Sequence, residues 1–346
     1  MQYVVEVHRK KWLGLALFAV AAVAGLFWAK WEPYYHKAMT VAEKHTLGNP
    51  IVTTLSGEAA PSWDLALTYA SAYFLAIWKA MLVALILASL MKVVIPKNWM
   101  QRVVGQDGYL STLKGGFLAL PAMMCTCCAA PVVAAMRQKN SSVGAAVAFW
   151  LGNTALNPAV LVFMFFVLGW KFTLLRLVVG VIFVFGLSYI ANRIAKNVQV
   201  DSSLLVDETE EAGAHPFVEW VKTFVKLAIT IIPVHFATVL VLGAAQAWLF
   251  PSAGAAEMNS VWLIVAMAIV GTFFVIPTAA EIAIAAAVLS SGLGTGPAAA
   301  LMVTLPVVSL PAIFMLRKAF PAKVIAFLTV SVMMIGILAG LVATAF

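Results

Sequence analysis

Three cysteines lie within four positions of one another in the middle of an apolar stretch. Cys125, Cys127 and Cys128 stand between Pro121 and Pro131. Thiolates are soft ligands that bind soft, thiophilic centres, and proline interrupts a helix because it lacks a backbone N–H and clashes with the preceding turn. The pattern predicts a substrate-binding thiol cluster at a helix break. The competing interpretation is that each Cys packs as a small buried apolar side chain.

Single ionisable residues interrupt three other apolar stretches. Glu281 follows Pro277 by four residues, Lys79 lies midway along one stretch, and His235 lies beside Pro233. A charged group at membrane depth costs roughly 2.5–3.5 kcal/mol on insertion scales and is usually functional. We therefore expect Glu281, with Lys79 or His235, to couple protons. The alternatives are a first-turn carboxylate at a helix N-terminus and ordinary interhelical hydrogen bonds.

Two asparagines interrupt the stretch that follows the thiol cluster. Asn153 and Asn157, the latter followed by Pro158, lie in otherwise apolar sequence. An amide at this depth either hydrogen-bonds a substrate or caps a broken helix. Both interpretations stay open, and we include both residues among the candidate substrate-binding groups.

The sequence predicts no cofactor and no resident metal ion. A P-loop, a dinucleotide fingerprint after a strand and an EF-hand loop are all missing from the sequence, so ATP hydrolysis is not expected. The C-x-C-C spacing also lacks the two separated ligand pairs of a structural zinc site.

The composition identifies the solvent of the fold as lipid. Hydrophobic residues make up 63% of the 346 residues, charged residues make up 10%, and the mean hydropathy is +0.99. Soluble proteins are about 45–50% apolar and about 25% charged. A soluble enzyme, a disordered chain and a nucleic-acid-binding domain are therefore excluded, and the bilayer is the expected partner.

Apolar runs near the length of about 20 residues that crosses a bilayer define the expected elements. The first span covers residues 12–29, and residues 30–63 are expected to form an extracytoplasmic loop. The stretch 114–140 is divided by its prolines into halves too short to cross, which predicts a re-entrant hairpin. The stretch 260–290 is divided in the same way at Pro277. Other spans are expected at 64–95, 141–169, 171–192, 217–249, 295–316 and 322–345.

The order of these elements repeats. A long span, a broken pair, a proline-interrupted span and a plain span occur in residues 64–192 and again in 217–346, joined by an acidic linker at 193–216. Pro121 corresponds to Pro277 and Cys125 corresponds to Glu281, both at an offset of 156 residues, and Pro158 corresponds to Pro311. We predict an all-α polytopic membrane protein of two inverted repeats, each with a broken re-entrant hairpin, preceded by an N-terminal unit at 1–63.

Basic residues indicate the orientation, because lysine and arginine collect on the cytoplasmic side. With the N-terminus inside, fourteen basic residues fall inside and four fall outside, namely Lys30, Lys37, Lys44 and Lys171. We expect a bacterial-type inner membrane protein with a cytoplasmic N-terminus, a cytoplasmic linker and an extracytoplasmic C-terminus.

Short motifs in both halves resemble the ArsP/YraQ-type permeases, a group of predicted membrane permeases. They are Pro121, Cys125-Thr126-Cys127 and Pro131, then Ala148 and Asn157-Pro158, then Ile276-Pro277 and Glu281. Members with an assigned function export trivalent organoarsenicals, and the family's cysteine cluster is implicated in binding them. The resemblance implies this role for Cys125, Cys127 and Cys128.

The expected function is proton-driven export of a small thiophilic solute, with a trivalent organoarsenical as the favoured substrate. An alternative is a permease for a sulfur compound or a soft metal ion that uses the same thiols. An alternative of another class is a membrane-embedded thiol–disulfide enzyme, which requires a quinone or a partner thiol. We expect a permease and not an enzyme.

Overall fold

The apolar stretches fold as helices because a helix satisfies its interior backbone groups within one segment, which lipid requires. The computed structural model describes residues 2–52, 62–195, 216–249 and 259–346, without the side chains of residues 2–11 and 247. The regular elements in these ranges are all helical, and two π-helical turns, Phe27–Trp31 and Ile182–Leu187, join α1 to α2 and α9 to α10. The helices are α1 Gln2–Leu26, α2 Glu32–Lys44, α3 Trp63–Val94, α4 Lys97–Val104, α5 Tyr109–Ala119, α6 Thr126–Gln138, α7 Val143–Ala155, α8 Pro158–Leu168, α9 Trp170–Val181, α10 Ser188–Ala195, α11 Pro216–Leu249, α12 Val261–Phe273, α13 Ala280–Ser290, α14 Thr295–Thr304, α15 Leu310–Leu316 and α16 Ala322–Ala343.

Within the described ranges, six helical segments are long and apolar enough to cross a membrane. They are Trp12–Lys44, Trp63–Val94, Val143–Leu168, Trp170–Ala195, Pro216–Gln246 and Ala322–Ala343. The prediction of an all-α polytopic membrane fold is confirmed.

The first span is longer than the sequence analysis expected. It does not end at residue 29, because the π-helical turn Phe27–Trp31 carries the helix on into α2. Lys30, which was counted as extracytoplasmic, lies in this turn and is buried. The polar character of residues 30–44 therefore belongs to a helical segment, and most side chains of α2 are exposed. Residues 53–61 of the expected loop lie outside the described residues.

The chain enters and leaves the first broken pair at the same end of the molecule. Helices α5 and α6 are interrupted at residues 120–125. The backbone N–H of Ser142, just after α6, donates to Val104 O at 2.9 Å, just before α5. The Ser142 hydroxyl also lies 3.2 Å from the hydroxyl of Ser111. The pair is therefore a hairpin, as predicted.

The second broken pair closes in the same way. Helices α12 and α13 are interrupted at residues 274–279. Asn259, before α12, donates its backbone N–H to Leu293 O at 3.1 Å, beyond the end of α13. Its side-chain Oδ1 also accepts from the backbone N–H of Gly296 at 2.9 Å. Both ends of this hairpin again lie together.

The two hairpins open towards opposite ends of the molecule, and α16 connects these ends. Near its start, Ala319 O accepts from Arg137 Nε at 3.3 Å, beside the open end of the first hairpin. Near its end, Gly340 and Thr344 lie against Gly296, beside the open end of the second hairpin. The prediction of inverted repeats is supported by this opposite orientation and stays a prediction.

Packing between the halves is reciprocal. Helix α3 packs along α11, α6 contacts α15 of the second half, and α13 contacts α8 of the first half. The register differs from the sequence-based pairing of Cys125 with Glu281. The helices α6 and α13 begin 154 residues apart, at 126 and 280, so Glu281 takes the position of Cys127.

Four of the five predicted proline breaks lie at helix interruptions. Pro121 and Pro277 lie in the two hairpin breaks, and Pro158 and Pro311 lie in the first turns of α8 and α15, where a missing N–H costs nothing. The prediction for Pro131 is wrong, because this residue lies inside α6. One missing N–H does not end a helix whose other bonds remain and which packs against α3, α7 and α15.

We expect residue 196 and Phe346 to lie on opposite sides of the membrane. The reason is that α10 runs back to the end where the first hairpin opens, whereas Phe346 O lies 3.4 Å from Lys171 Nζ at the other end. Reporter fusions at the two positions test this. Signals from one side only would contradict the arrangement of α16 and α10.

Candidate functional site

The thiol cluster forms the N-terminus of α6. Cys125 is the N-cap residue, and its Sγ lies 3.3 Å from Cys127 Sγ and 2.8 Å from Cys128 Sγ. All three thiols are free and buried, and their sulfur atoms lie within 4.8 Å of one another. Cys125 and Cys128 also have C-x-x-C spacing, a signal that the sequence analysis overlooked.

Aromatic and imidazole groups from two other helices surround the cluster. The Tyr73 hydroxyl of α3 lies 2.9 Å from Cys127 Sγ. The ring of His235, on α11, lies 5.5 Å from the Tyr73 ring. Neither ring nitrogen of His235 has a hydrogen-bond partner among the described residues, although the side chain is buried. Tyr73 therefore contacts both His235 and Cys127, and it links the imidazole to the thiol cluster.

The two asparagines hold the helix breaks. Asn153 Oδ1 accepts from Met124 N at 3.1 Å, next to the first thiol, and its Nδ2 donates to Phe149 O. Asn157 Oδ1 caps α8 by accepting from the backbone N–H groups of Ala159 and Val160. The capping interpretation is thus realised, and substrate contact by either residue stays a prediction.

A buried ion pair crosses between the halves. Glu281, in the first turn of α13, places Oε1 3.6 Å from Nη2 of Arg176 on α9, and both side chains are 1% exposed. The other carboxylate oxygen, Oε2, has no hydrogen-bond partner among the described residues. Half of this carboxylate is therefore free to bind a proton or a ligand.

Arg176 satisfies carbonyl groups that prolines leave without partners. The carbonyls of Thr154 and Met302 would bond to residues 158 and 306 in a continuous helix, but both are prolines and carry no N–H. Arg176 Nη2 donates to Thr154 O at 2.8 Å, and Nη1 donates to Met302 O. Its Nε donates to Ala155 O at 3.1 Å. One guanidinium thus joins the broken ends of α7 and α14.

The sequence analysis missed Arg176. A single arginine in the apolar run of α9 is a signal of the same kind as Lys79, but no helix break lies near it in sequence. The fold brings Thr154 and Met302 to it from 22 and 126 residues away.

Cys125 and Glu281 line one small cleft between the hairpin tips. Its walls come from both halves, and its free space is about 10 Å³, which is room for roughly one water molecule. A solute therefore enters only if the walls of the cleft move apart. The lining residues are Cys125, Thr126, Thr154, Ile276, Pro277, Thr278, Glu281 and Pro306.

The breaks that form the cleft contain two residues in the left-handed region of backbone conformation. Met123 has φ 49° and Ala279 has φ 72°. A non-glycine residue in this region costs about 1–3 kcal/mol and persists only where its surroundings enforce it. The strain is located at the two hairpin tips, beside the thiols and the carboxylate.

Lys79 is not among the residues that line the cleft. It is half-buried, and its Nζ lies 5.2 Å from the Trp28 ring and 5.8 Å from the Trp78 ring. These are cation–π contacts, one to Trp28 of the first span and one to Trp78 of the same helix, α3. The predicted proton-coupling role of Lys79 therefore gains no geometric support.

A different lysine reaches the hairpin tips. Lys30 Nζ donates to Thr278 Oγ1 at 3.1 Å, and the neighbouring Trp31 Nε1 donates to Pro121 O at 2.7 Å. The π-helical turn of the first span thus contacts both breaks. Sequence reasoning missed Lys30 because it lies at the boundary where the hydropathy falls.

The helical apolar fold with its buried polar centre defines an integral membrane protein. A family model described as ArsP_1, predicted permease, matches residues 15–149 and 62–345. The sequence is 47% identical over 331 residues to UPF0718 protein YraQ of Escherichia coli (strain K12), covering 95% of this chain and 94% of that protein. The chain belongs to the ArsP_1 family of predicted permeases, which makes it a membrane transporter by family. No solved structure matches it.

Replacing Arg176 with Leu is expected to lower the free energy of unfolding by about 3–5 kcal/mol, the cost of breaking a buried ion pair. Glu281 would lose its counter-charge, and the carbonyls of Thr154 and Met302 would lose their donors. Retention of the folded, monodisperse protein after heating in detergent measures the effect.

Lys79→Leu is the matched control, because it also removes a cation from an apolar helix. It breaks only cation–π contacts to the exposed rings of Trp28 and Trp78, which are worth about 0.5–1 kcal/mol. Equal losses of unfolding free energy in the two variants would show that the ion pair and hydrogen bonds of Arg176 contribute no more to stability than the contacts of Lys79.

Proposed function

We propose that this permease is a secondary transporter that exports a small thiophilic solute, with a trivalent organoarsenical as the best single substrate. The observation that carries the proposal is the thiol cluster at the tip of one hairpin, with Cys125 sharing a cleft with the free carboxylate oxygen of Glu281. Packing alone explains three apolar side chains there, but not three sulfur atoms within 4.8 Å at a helix N-terminus.

The arrangement of the halves supports alternating access. Each hairpin opens to one end of the molecule, and the tips meet at a shared cleft whose walls come from both halves. Inverted repeats with broken helices around a central site are the architecture of many secondary transporters.

The proposed orientation is a bacterial inner membrane with the N-terminus in the cytoplasm and the C-terminus outside. The basic residues support it, because Arg137, Arg193 and Arg317 lie towards the end where the first hairpin opens. Lys171 lies at the other end beside the C-terminal Phe346. The linker at 196–215, with its acidic residues, lies outside the described residues.

Proton coupling is assigned to Glu281, with His235 as the second candidate. Among the described residues, one carboxylate oxygen of Glu281 has no donor, and Glu281 lines the cleft with Cys125. His235 is buried, neither of its ring nitrogens has a partner in the described ranges, and it lies against Tyr73, which contacts Cys127. Either group can exchange a proton within the region where the solute binds.

A second candidate substrate is a soft metal ion or a sulfur compound. The close approach of the three sulfur atoms supports it, because a monovalent or divalent soft cation takes thiolate ligands. A thiol–disulfide enzyme is the candidate of another class, favoured by the C-x-x-C pair Cys125 and Cys128 at 2.8 Å. It predicts that a quinone or an external disulfide lowers the free-thiol count of the purified protein from three to one.

Replacing Cys125, Cys127 and Cys128 with Ser is expected to abolish binding of a trivalent arsenical to the purified protein. Serine keeps nearly the same size and removes the soft ligand, so insertion into the membrane is expected to be normal. Isotope or fluorescence binding measures the result. A single Cys127→Ser variant should lose less than a Cys125→Ser, Cys128→Ser pair, because Cys127 is held by Tyr73 and does not line the cleft. Equal binding by parent and triple variant leaves the sulfur atoms with a packing role only.

Glu281→Gln is expected to retain solute binding and to lose the dependence of flux on a pH gradient. Glutamine mimics the permanently protonated carboxyl group at nearly constant volume, so the cleft keeps its shape. Flux into everted vesicles, measured with and without a pH gradient, separates the two properties. An unchanged response of flux to the pH gradient would show that Glu281 is only a structural partner of Arg176. His235 would then be the next residue to substitute.

A further inference from the structure

The first span places a buried cation beside the cleft. Lys30 lies in the π-helical turn Phe27–Trp31 and is 6% exposed. Its Nζ donates to the hydroxyl of Thr278 at 3.1 Å, and Thr278 lines the cleft together with Cys125 and Glu281. Short π-helical turns within helices are rare and frequently lie at functional sites. One hydroxyl group therefore connects the ammonium of Lys30 to the wall of the cleft.

Lys30 and Thr278 keep donors that the described residues do not use. An ammonium carries three N–H donors. Those of Lys30 serve two acceptors, the hydroxyls of Tyr34 at 3.0 Å and of Thr278, and within the described ranges no carboxylate lies at ion-pair distance. The Thr278 hydroxyl accepts from Lys30, and its own O–H donates to no acceptor in the same ranges. One N–H of Lys30 and the O–H of Thr278 are thus left for a ligand.

The charges buried around the cleft do not balance. Among the described residues, the buried charged side chains are Lys30, Arg176 and Glu281, two cations and one anion, when the thiols, phenols and imidazole are uncharged. Glu281 already pairs with Arg176 at 3.6 Å. Protonation of Glu281 would only increase the positive excess, and Lys37, an exposed residue of α2, is itself a cation. A buried cation without an anion is costly, so the cleft favours a negatively charged occupant.

The thiols do not supply the missing negative charge, because Cys125 carries its proton and donates it to Cys128 Sγ at 2.8 Å. We propose that the cleft selects a small anionic solute, whose carboxylate or other anionic oxygen group binds between Lys30 and Thr278 while its soft atom binds Cys125. A hydrogen bond from an ammonium to a carboxylate is stronger than one between neutral groups. Lys30 is thus a specificity-determining residue, contributed by a span that precedes both repeats.

This inference rests on the proposed function, because the thiols hold the soft atom of the solute. The closed cleft has about 10 Å³ of free space, so the solute enters when the tips separate. That separation also breaks the bond between Lys30 and Thr278 and frees a second N–H of the ammonium. An anionic oxygen group then replaces the lost acceptor and supplies the counter-charge. A neutral soft solute would leave the ammonium with neither.

Probes that differ only in charge test the proposal. Carboxyphenylarsine oxide is anionic at neutral pH, whereas carbamoylphenylarsine oxide has nearly the same size and is neutral. The ortho, meta and para isomers of each cover different distances between the arsenic atom and the charged group. We expect at least one carboxylate isomer to bind the purified protein about tenfold more tightly than its carbamoyl counterpart, the effect of one charged hydrogen bond. Competition with a fluorescent trivalent arsenical measures both dissociation constants.

Lys30→Gln is expected to remove this preference, and Lys30→Arg is expected to keep it. Thr278→Val keeps the shape of the side chain and removes the hydroxyl, so it should reduce the preference. The matched control is Lys79→Gln, which removes a half-buried lysine that does not line the cleft and should leave the preference unchanged. Binding of the carbamoyl probes should change little in any of these variants.

A parent protein without any charge preference overturns the proposal, even if Lys30→Gln fails to fold. A preference that persists in folded Lys30→Gln also overturns it. Equal binding of neutral and anionic probes would leave the proposed function standing while this inference fails. If no arsenical binds, the arsenical substrate fails, and thermal stabilisation by benzoate and by benzamide decides on the anion site. A shift with benzoate alone that Lys30→Gln abolishes supports the site, and equal shifts overturn it.

Discussion

The structure depends on one constraint: a helix broken at membrane depth must find protein partners for the backbone groups it frees. Four segments of this chain are broken there, and the carbonyls preceding Pro158 and Pro306 lose their helical donors. Arg176 supplies donors at two of these breaks, because its guanidinium donates to Thr154 O and Met302 O. Its charge in turn requires Glu281, which comes from the other half. One connected set of polar contacts therefore joins the broken helices of the two halves.

The same breaks create the chemistry. A broken helix presents a fresh N-terminus inside the protein, and both α6 and α13 begin at the cleft. The register between them places Cys127 and Glu281 at equivalent positions, so the repeat offers soft ligands on one hairpin tip and a carboxylate on the other. In a continuous crossing helix, the backbone N–H groups beside these positions would be bonded within the helix. A thiol there is only a small apolar side chain.

Local sequence signals predicted the scaffold but not the partners. Proline and cysteine types within ten residues were enough to predict the hairpin at 114–140, because helix interruption is a local property. Pro131 shows the limit, since packing against three helices keeps α6 intact around it. Lys79 and Lys30 show that hydropathy does not predict which side chain points towards the cleft. Hydropathy favoured Lys79, yet helix phase turns it towards the rings of Trp28 and Trp78, whereas a π-helical turn with no strong sequence signature rotates Lys30 into the site.

The contacts that close the cleft lie beside the groups that line it. The thiols are buried, so a solute reaches them only if contacts made by the hairpin tips separate. These are Thr126 with Pro306 O, Lys30 with Thr278, and Trp31 with Pro121 O. These contacts join a hairpin tip to the other half or to the first span, and they are polar and few in comparison with the apolar packing of the hairpin arms. Moving one tip therefore costs hydrogen bonds. A solute shifts the equilibrium between two states only if it interacts differently with the closed and the open tips, and under the proposed function its binding beside Thr278, which Lys30 contacts in the closed state, supplies that difference.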